Sequence, residues 1–147
     1  MADFLDLTDA GHQLAPLVVD RVRDPVLLAV SPHGVPVAEP IAAALGIELQ
    51  PLLLHRTDEG VTVPDVTGIT GREVVIVDDG VETGTAARAM AAALRAHNPD
   101  RLILAVPVCP RQEGSSLALL YDEIIAVVQP LARRSLRWHY ANTEWLT

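Results

Sequence analysis

Lysine is absent from this 147-residue chain, and all eleven basic residues are arginine. That absence removes Schiff-base and pyridoxal-phosphate chemistry, and with them the Walker-type phosphate loop, which needs its lysine. Cysteine is reduced to Cys109, so no internal disulfide can form and a reducing cytoplasm is the expected setting. Neither that cysteine nor the histidines at 12, 33, 55, 97 and 139 fall at metal-ligand spacing. No apolar run approaches the roughly 18–20 residues that a membrane span requires. The first residues, Met1 to Asp9, are acidic where a secretory signal would be basic. Positive charge is in deficit overall: the net charge of −8 argues against nucleic acid and anionic membrane surfaces as partners. Aromatic residues number five, yet Trp138, Tyr140 and Trp145 all fall in the last ten positions. Such a cluster belongs against a surface, either of this domain or of a second subunit, and a lid stacking on a base is an alternative use.

What is present is apolar substance and alternation. Half the residues are hydrophobic, enough for one sizeable core in a single domain over 1–147. Residues 74–86, Val-Val-Ile-Val-Asp-Asp-Gly-Val-Glu-Thr-Gly-Thr-Ala, organise the rest. Four β-branched residues read as a strand buried on both faces. The run stops at two carboxylates, Asp78 and Asp79, followed by a loop with Gly80 and Gly84 and a strong helix-forming stretch over 86–96. That order sets two acids and free backbone N–H groups at the carboxyl end of a strand, where open α/β sheets bind ligands. A helix N-terminus there suits a phosphate, and the acids suit hydroxyl groups or a metal ion. A purely structural use, in which Asp79 caps the helix and Asp78 is solvated, is the competing reading.

Elsewhere the pattern predicts a helix over 8–22, N-capped by Thr8 and kinked or restarted at Pro16. A strand over 26–30, a tight loop at 31–34 and a helix over 35–45 ended by Gly46 follow. A strand over 47–54 carries Pro51, which suggests an edge position. Residues 55–72 read as irregular with a small edge strand at 60–63, bordering the site. Strands over 101–106 and 123–128 flank a helix over 112–121, and 129–147 reads as an irregular tail. The expected fold is α/β: one doubly wound domain with a mainly parallel sheet of about five strands. A dinucleotide fold is excluded because no Gly-x-Gly-x-x-Gly follows the first strand.

The 74–86 segment resembles the signature of type I phosphoribosyltransferases, and the likeness extends further. Residues 28–45 are similar to that family's first strand, pyrophosphate loop and helix; 106–110 resemble its fourth strand, and Trp138-His139-Tyr140 its C-terminal aromatics. The resemblance implies phosphoribosyl pyrophosphate, or another phosphorylated ribose, as ligand, with Mg²⁺. Asp78 and Asp79 would hold the ribose hydroxyls and, indirectly, the metal. Gly80, Val81, Glu82, Thr83, Gly84 and Thr85 would wrap the 5′-phosphate, although Ala86 stands where the family has Thr or Ser. Glu82 would act as base for the incoming nucleophile, or else complement the helix dipole. Ser31, His33, Gly34 and Arg56 would meet the pyrophosphate, but the family's loop arginine is replaced by Pro32, which has neither charge nor N–H. The stretch over 57–71 carries acids and no base. Arg88 and Arg111 are further candidates for anion contacts, and Cys109 reads as a packing residue. The implied activity is transfer of the phosphoribosyl group to a nitrogen nucleophile such as a nucleobase, with release of pyrophosphate. The alternative is a degenerate relative that senses a phosphorylated ribose. A homodimer is expected.

Overall fold

The computed structural model of the chain describes residues 2–146. Helix α1 (Leu7–Val19) leads into β1 (Val26–Ser31), α2 (Gly34–Leu45) and β2 (Leu49–Leu53). A hairpin of β3 (His55–Thr57) and β4 (Gly60–Thr62) follows, then β5 (Glu73–Val77), α3 (Thr85–Arg95), β6 (Arg101–Val108), α4 (Arg111–Leu117), β7 (Glu123–Val128) and α5 (Leu136–His139). A 3₁₀ turn, Glu144–Leu146, closes the described chain. No described helix is long and apolar enough to cross a membrane.

The five main strands are all parallel, in the order β2-β1-β5-β6-β7. Side-chain alternation sorts the central strands between two cores. Leu27, Ala29, Val75, Val77, Ile103 and Ala105 face α1 and α2. Val26, Leu28, Val74, Ile76, Leu102 and Leu104 face α3, with Leu117 of α4 and the 66–69 loop. Burial on both faces explains why these strands read as continuous apolar runs rather than alternating ones. The chain leaves β1 through α2 on one face and β5 through α3 on the other, so the sheet changes winding direction between β1 and β5. The crevice at their carboxyl ends is the topological switch point.

Several local expectations are corrected. Helix α1 is capped by Asp6, whose side chain accepts from Asp9 N–H, and not by Thr8. It also runs unbroken through Pro16, because His12 and Pro16 lie on its exposed side and water can take the carbonyl that proline leaves unpaired. Strand β6 reaches Val108 because β7 pairs with it to that point, and α4 stops at Leu117, well short of 121. The small strand near 60 pairs antiparallel with β3 in its own two-stranded sheet. The tail contains helix and is docked: Phe4 N–H donates to His139 O, Ala141 N–H to Phe4 O, and Asn142 N–H to Leu5 O. Residue 147, the end of the expected tail, lies outside the described residues. Pro51 does occupy the edge strand β2.

The two helices on one face approach closely at Gly11, where a Cβ would run into Val37 O and lie 2.9 Å from Pro40 Cγ. Gly11→Ala should therefore cost about 1–3 kcal/mol, the usual range for overpacking. Chemical denaturation would measure it, and an unchanged midpoint would contradict so tight an α1–α2 contact.

Candidate functional site

The polypeptide leaves β5 with its last apolar side chain, Val77, fully buried, and the next two residues are the acids. Asp78 Oδ1 accepts from Asp79 N–H at 2.8 Å, which turns the loop away from the strand direction. Asp79 is only 8% exposed. Burial pushes both carboxyls above their ordinary range. For Asp78 the adjacent Asp79 charge adds to the effect, whereas for Asp79 a hydrogen bond from Asp78 and the nearby His33 work against it. Two desolvated acids side by side are poised for a partner that supplies donors or positive charge.

The glycine loop beyond them is held from two directions. Val81 N–H donates to Val108 O at the end of β6 (2.8 Å), and Tyr140 Oη donates to Asp79 O (2.8 Å). Gly80 has φ 150° and no room for a side chain, because a Cβ would touch Leu136. Gly84, with φ 84°, turns the chain into α3 without a side-chain cap. The N–H groups of the first helical turn therefore have no intrahelical partner, as helix geometry dictates, and carry the positive end of the dipole. Thr83 and Thr85 hydroxyls lie 3.1 Å apart at the mouth. Arg88 folds back over Gly84 to donate to Thr83 O (2.9 Å). It props up the loop from behind.

Asp78, Asp79 and the whole of 80–85 line one cavity of about 230 Å³, floored by Met90, Leu104 and Val106 and bordered by Arg56 and Leu136. The β1 loop stands beside it: a Cβ on Gly34 would fall 2.6 Å from Val77 O, so glycine lets the two loops touch. The Ser31–Pro32 peptide is cis. His33 Nδ1 sits 3.5 Å from Asp79 Oδ2, an ion pair when the imidazole is protonated. The residues that were expected on sequence grounds therefore converge on one edge, with Arg56 reaching the cavity from the β3–β4 hairpin. Arg111 does not join them; its Nε donates to Gln129 O, and it lines a separate groove with Cys109 and Tyr121. Cys109 is buried, its thiol pushed up to about 11 by burial and the neighbouring Glu113 charge, an inert packing environment. Among the described residues no group of three His, Cys, Asp or Glu is placed to hold a metal ion.

Sequence reasoning missed a C-terminal strap. From the end of β7 the chain returns along the carboxyl edge of the sheet. Leu136 N–H donates to Glu82 Oε1 (2.7 Å), so Glu82 supplies the missing cap of α5. Tyr140 stacks on Phe4 and reaches Asp79, and Trp145 packs edge-on against both Tyr140 (4.9 Å) and His33 (5.1 Å). The aromatic clustering was the available signal. It showed that the tail docks somewhere, but the partner Glu82 lies 54 residues away in sequence.

An open parallel sheet with an acid pair and a glycine loop at its switch point defines a class of nucleotide- and sugar-phosphate-handling α/β folds. The phosphoribosyl transferase domain model matches residues 7–129, and the chain belongs to that family. A Mycobacterium tuberculosis protein named in the same family is 42% identical over 74 residues, half of this chain and 17% of the relative. This chain thus spans less than a fifth of that relative's length. The bifunctional protein PyrR of Trichormus variabilis is 30% identical over 150 residues, with 83% of each chain covered. Among solved structures, TT1426 from Thermus thermophilus superposes over the whole chain and 94% of its own, with TM-score 0.82 at 23% identity. A purine phosphoribosyltransferase from Pyrococcus horikoshii covers 89% of this chain and 94% of its own, with TM-score 0.66 at 20% identity. At those identities the two structures speak to the fold.

Proposed function

We propose that this protein binds phosphoribosyl pyrophosphate and transfers its phosphoribosyl group to a nitrogen nucleophile, in keeping with its family. One observation carries the reading: the acid pair and the 80–85 loop line a single cavity at the switch point. In this reading Asp78 and Asp79 accept hydrogen bonds from the ribose hydroxyls, and the loop N–H groups and Thr83 and Thr85 hydroxyls take the 5′-phosphate. The nitrogen lone pair forms the bond to C1, and the C1–oxygen bond breaks with its electron pair leaving on pyrophosphate. The proton released from nitrogen passes to a base; Glu82 is the loop's candidate, with Oε2 free while Oε1 holds Leu136. The protein lowers the barrier by holding an oxocarbenium-like centre between fixed groups.

Mg²⁺ fits this donor set. Two desolvated carboxylates are hard oxygen ligands whose repulsion a cation relieves, and the lack of a third acid suits an ion held mainly by ligand oxygens and water. When bound, the ion would neutralise the leaving pyrophosphate.

A second reading, a relative that binds a phosphorylated ribose without turning it over, draws on the β1 loop. Pro32 offers no N–H, and His33 is engaged by Asp79 and Trp145. Calorimetric titration separates the two. Mg²⁺-dependent micromolar binding of phosphoribosyl pyrophosphate, with pyrophosphate also bound, is the expected result. Ribose 5-phosphate alone would indicate the sensor, and silence from all three at millimolar concentration would remove both.

A further inference from the structure

The arginines of this acidic chain are segregated between the two edges of the sheet. At the amino edge Arg21, Arg72, Arg95 and Arg101 are paired with Glu123, Asp24, Asp122 and Glu73. Arg23 lies there too, without a carboxylate partner for its side chain among the described residues. At the carboxyl edge Arg56, Arg88, Arg111, Arg133, Arg134 and Arg137 have no carboxylate within ion-pair distance among the described residues. Three of these fall within five positions of the strap, and all three are exposed. A chain of net charge −8 that leaves its free cations on the ligand edge has a positive field there for an anion to use.

Their location says which anion. Leu136 lines the cavity and is tied to Glu82, so the Cα atoms of Arg137 and Arg134 lie within about 3.8 and 7.6 Å of its own. Arg134 is stacked over Trp138, 4.6 Å from the ring centroid, which orders its guanidinium. The pyrophosphate-side residues His33 and Gly34 follow β1. The strap approaches from β7, and β1 and β7 flank β5 on opposite sides. Displacement at the ribose C1 brings the nucleophile in opposite the leaving group, hence from the β6–β7 side, where the three arginines stand.

We infer that the nucleophile accepted by this site carries a negative charge of its own, a carboxylate or phosphate, which Arg133, Arg134 and Arg137 read. A planar guanidinium fork binds either group with two parallel hydrogen bonds, which a neutral base cannot offer. This inference rests on the phosphoribosyl reading above.

The test uses the intact protein saturated with ribose 5-phosphate, titrated calorimetrically with nitrogen heterocycles in matched pairs: orotate against uracil, and nicotinate against nicotinamide. For at least one pair the carboxylated member should bind tenfold or more tightly. The preference should vanish in the R133Q/R134Q/R137Q variant, and added salt should weaken it. Ribose 5-phosphate affinity and the thermal midpoint should stay unchanged in that variant, since the three side chains make no ion pair and leave the loop alone. Equal or tighter binding of the neutral members, a preference that survives the triple substitution, or no heterocycle binding at millimolar concentration would each overturn the inference. A triple variant that loses only a single-stranded oligonucleotide would overturn it too, in favour of a nucleic-acid contact. If ribose 5-phosphate itself does not bind the wild type, the underlying reading has failed and this one with it.

Discussion

Asp78→Asn should make the protein more stable at neutral pH while weakening ribose 5-phosphate binding at least tenfold. Burial and the adjacent Asp79 hold the Asp78 carboxyl well above its ordinary 3.8 in the folded state. Below 3.8 the group is protonated folded and unfolded alike, so it carries no charge penalty. As pH rises from there toward the folded-state value, the unfolded chain gives up its proton first, and stability falls. Above that value the penalty is complete. Asparagine removes the charge but keeps an oxygen for the Asp79 N–H that Asp78 now accepts. The gain should be about 0.5–2 kcal/mol at neutral pH, in the range of other relieved functional sites, and should shrink toward pH 4. Thermal melts from pH 4 to 8 and one calorimetric titration would check both halves. A variant less stable at pH 7.5, or one that still binds fully, would show that the acid pair is structural. Asp79→Asn should move the same way but less, because Asp79 already has His33 beside it.

Tyr140→Ala should be the most damaging single change in the strap, costing about 3–5 kcal/mol as for other buried aromatics. Tyr140 is 3% exposed, packs on Phe4 and Trp145, and pins the carbonyl of Asp79. A loss of that size would take a large part of a typical domain's stability, so Tyr140→Phe is the informative partner. It retains the packing and leaves the Asp79 carbonyl without its donor, at about 0.5–1.5 kcal/mol. Ribose 5-phosphate binding should weaken severalfold in the Phe variant, since the acid pair loses one of its supports. Denaturant unfolding with tryptophan fluorescence reports the first effect, because Trp145 lies against the ring. If the Phe variant bound ribose 5-phosphate unchanged, the strap would be a cover and not a support of the site.

The contrast between these two residues follows what can be read along the chain. Asp78 was legible because everything that defines it is local: a buried strand, a glycine and a helix within thirteen positions put the acids at a sheet edge whatever else the fold does. The helix–strand alternation and the edge position of β2 at Pro51 were legible for the same reason. Element ends were not. The extension of β6 to Val108 depends on a partner strand, and the docked strap depends on Phe4, at the opposite end of the chain.

By itself, then, the sequence determined the family, the parallel sheet, and the acid and glycine loop at one strand end, because backbone propensity and side-chain period act over a few residues. The tertiary structure alone decided that the winding reverses between β1 and β5, so that two distant loops share one crevice. It decided that Glu82 caps a helix from the far end of the chain, and that the unpaired arginines gather on the ligand edge. Those are contacts between segments remote in sequence, set by packing of whole elements, and no local pattern encodes them.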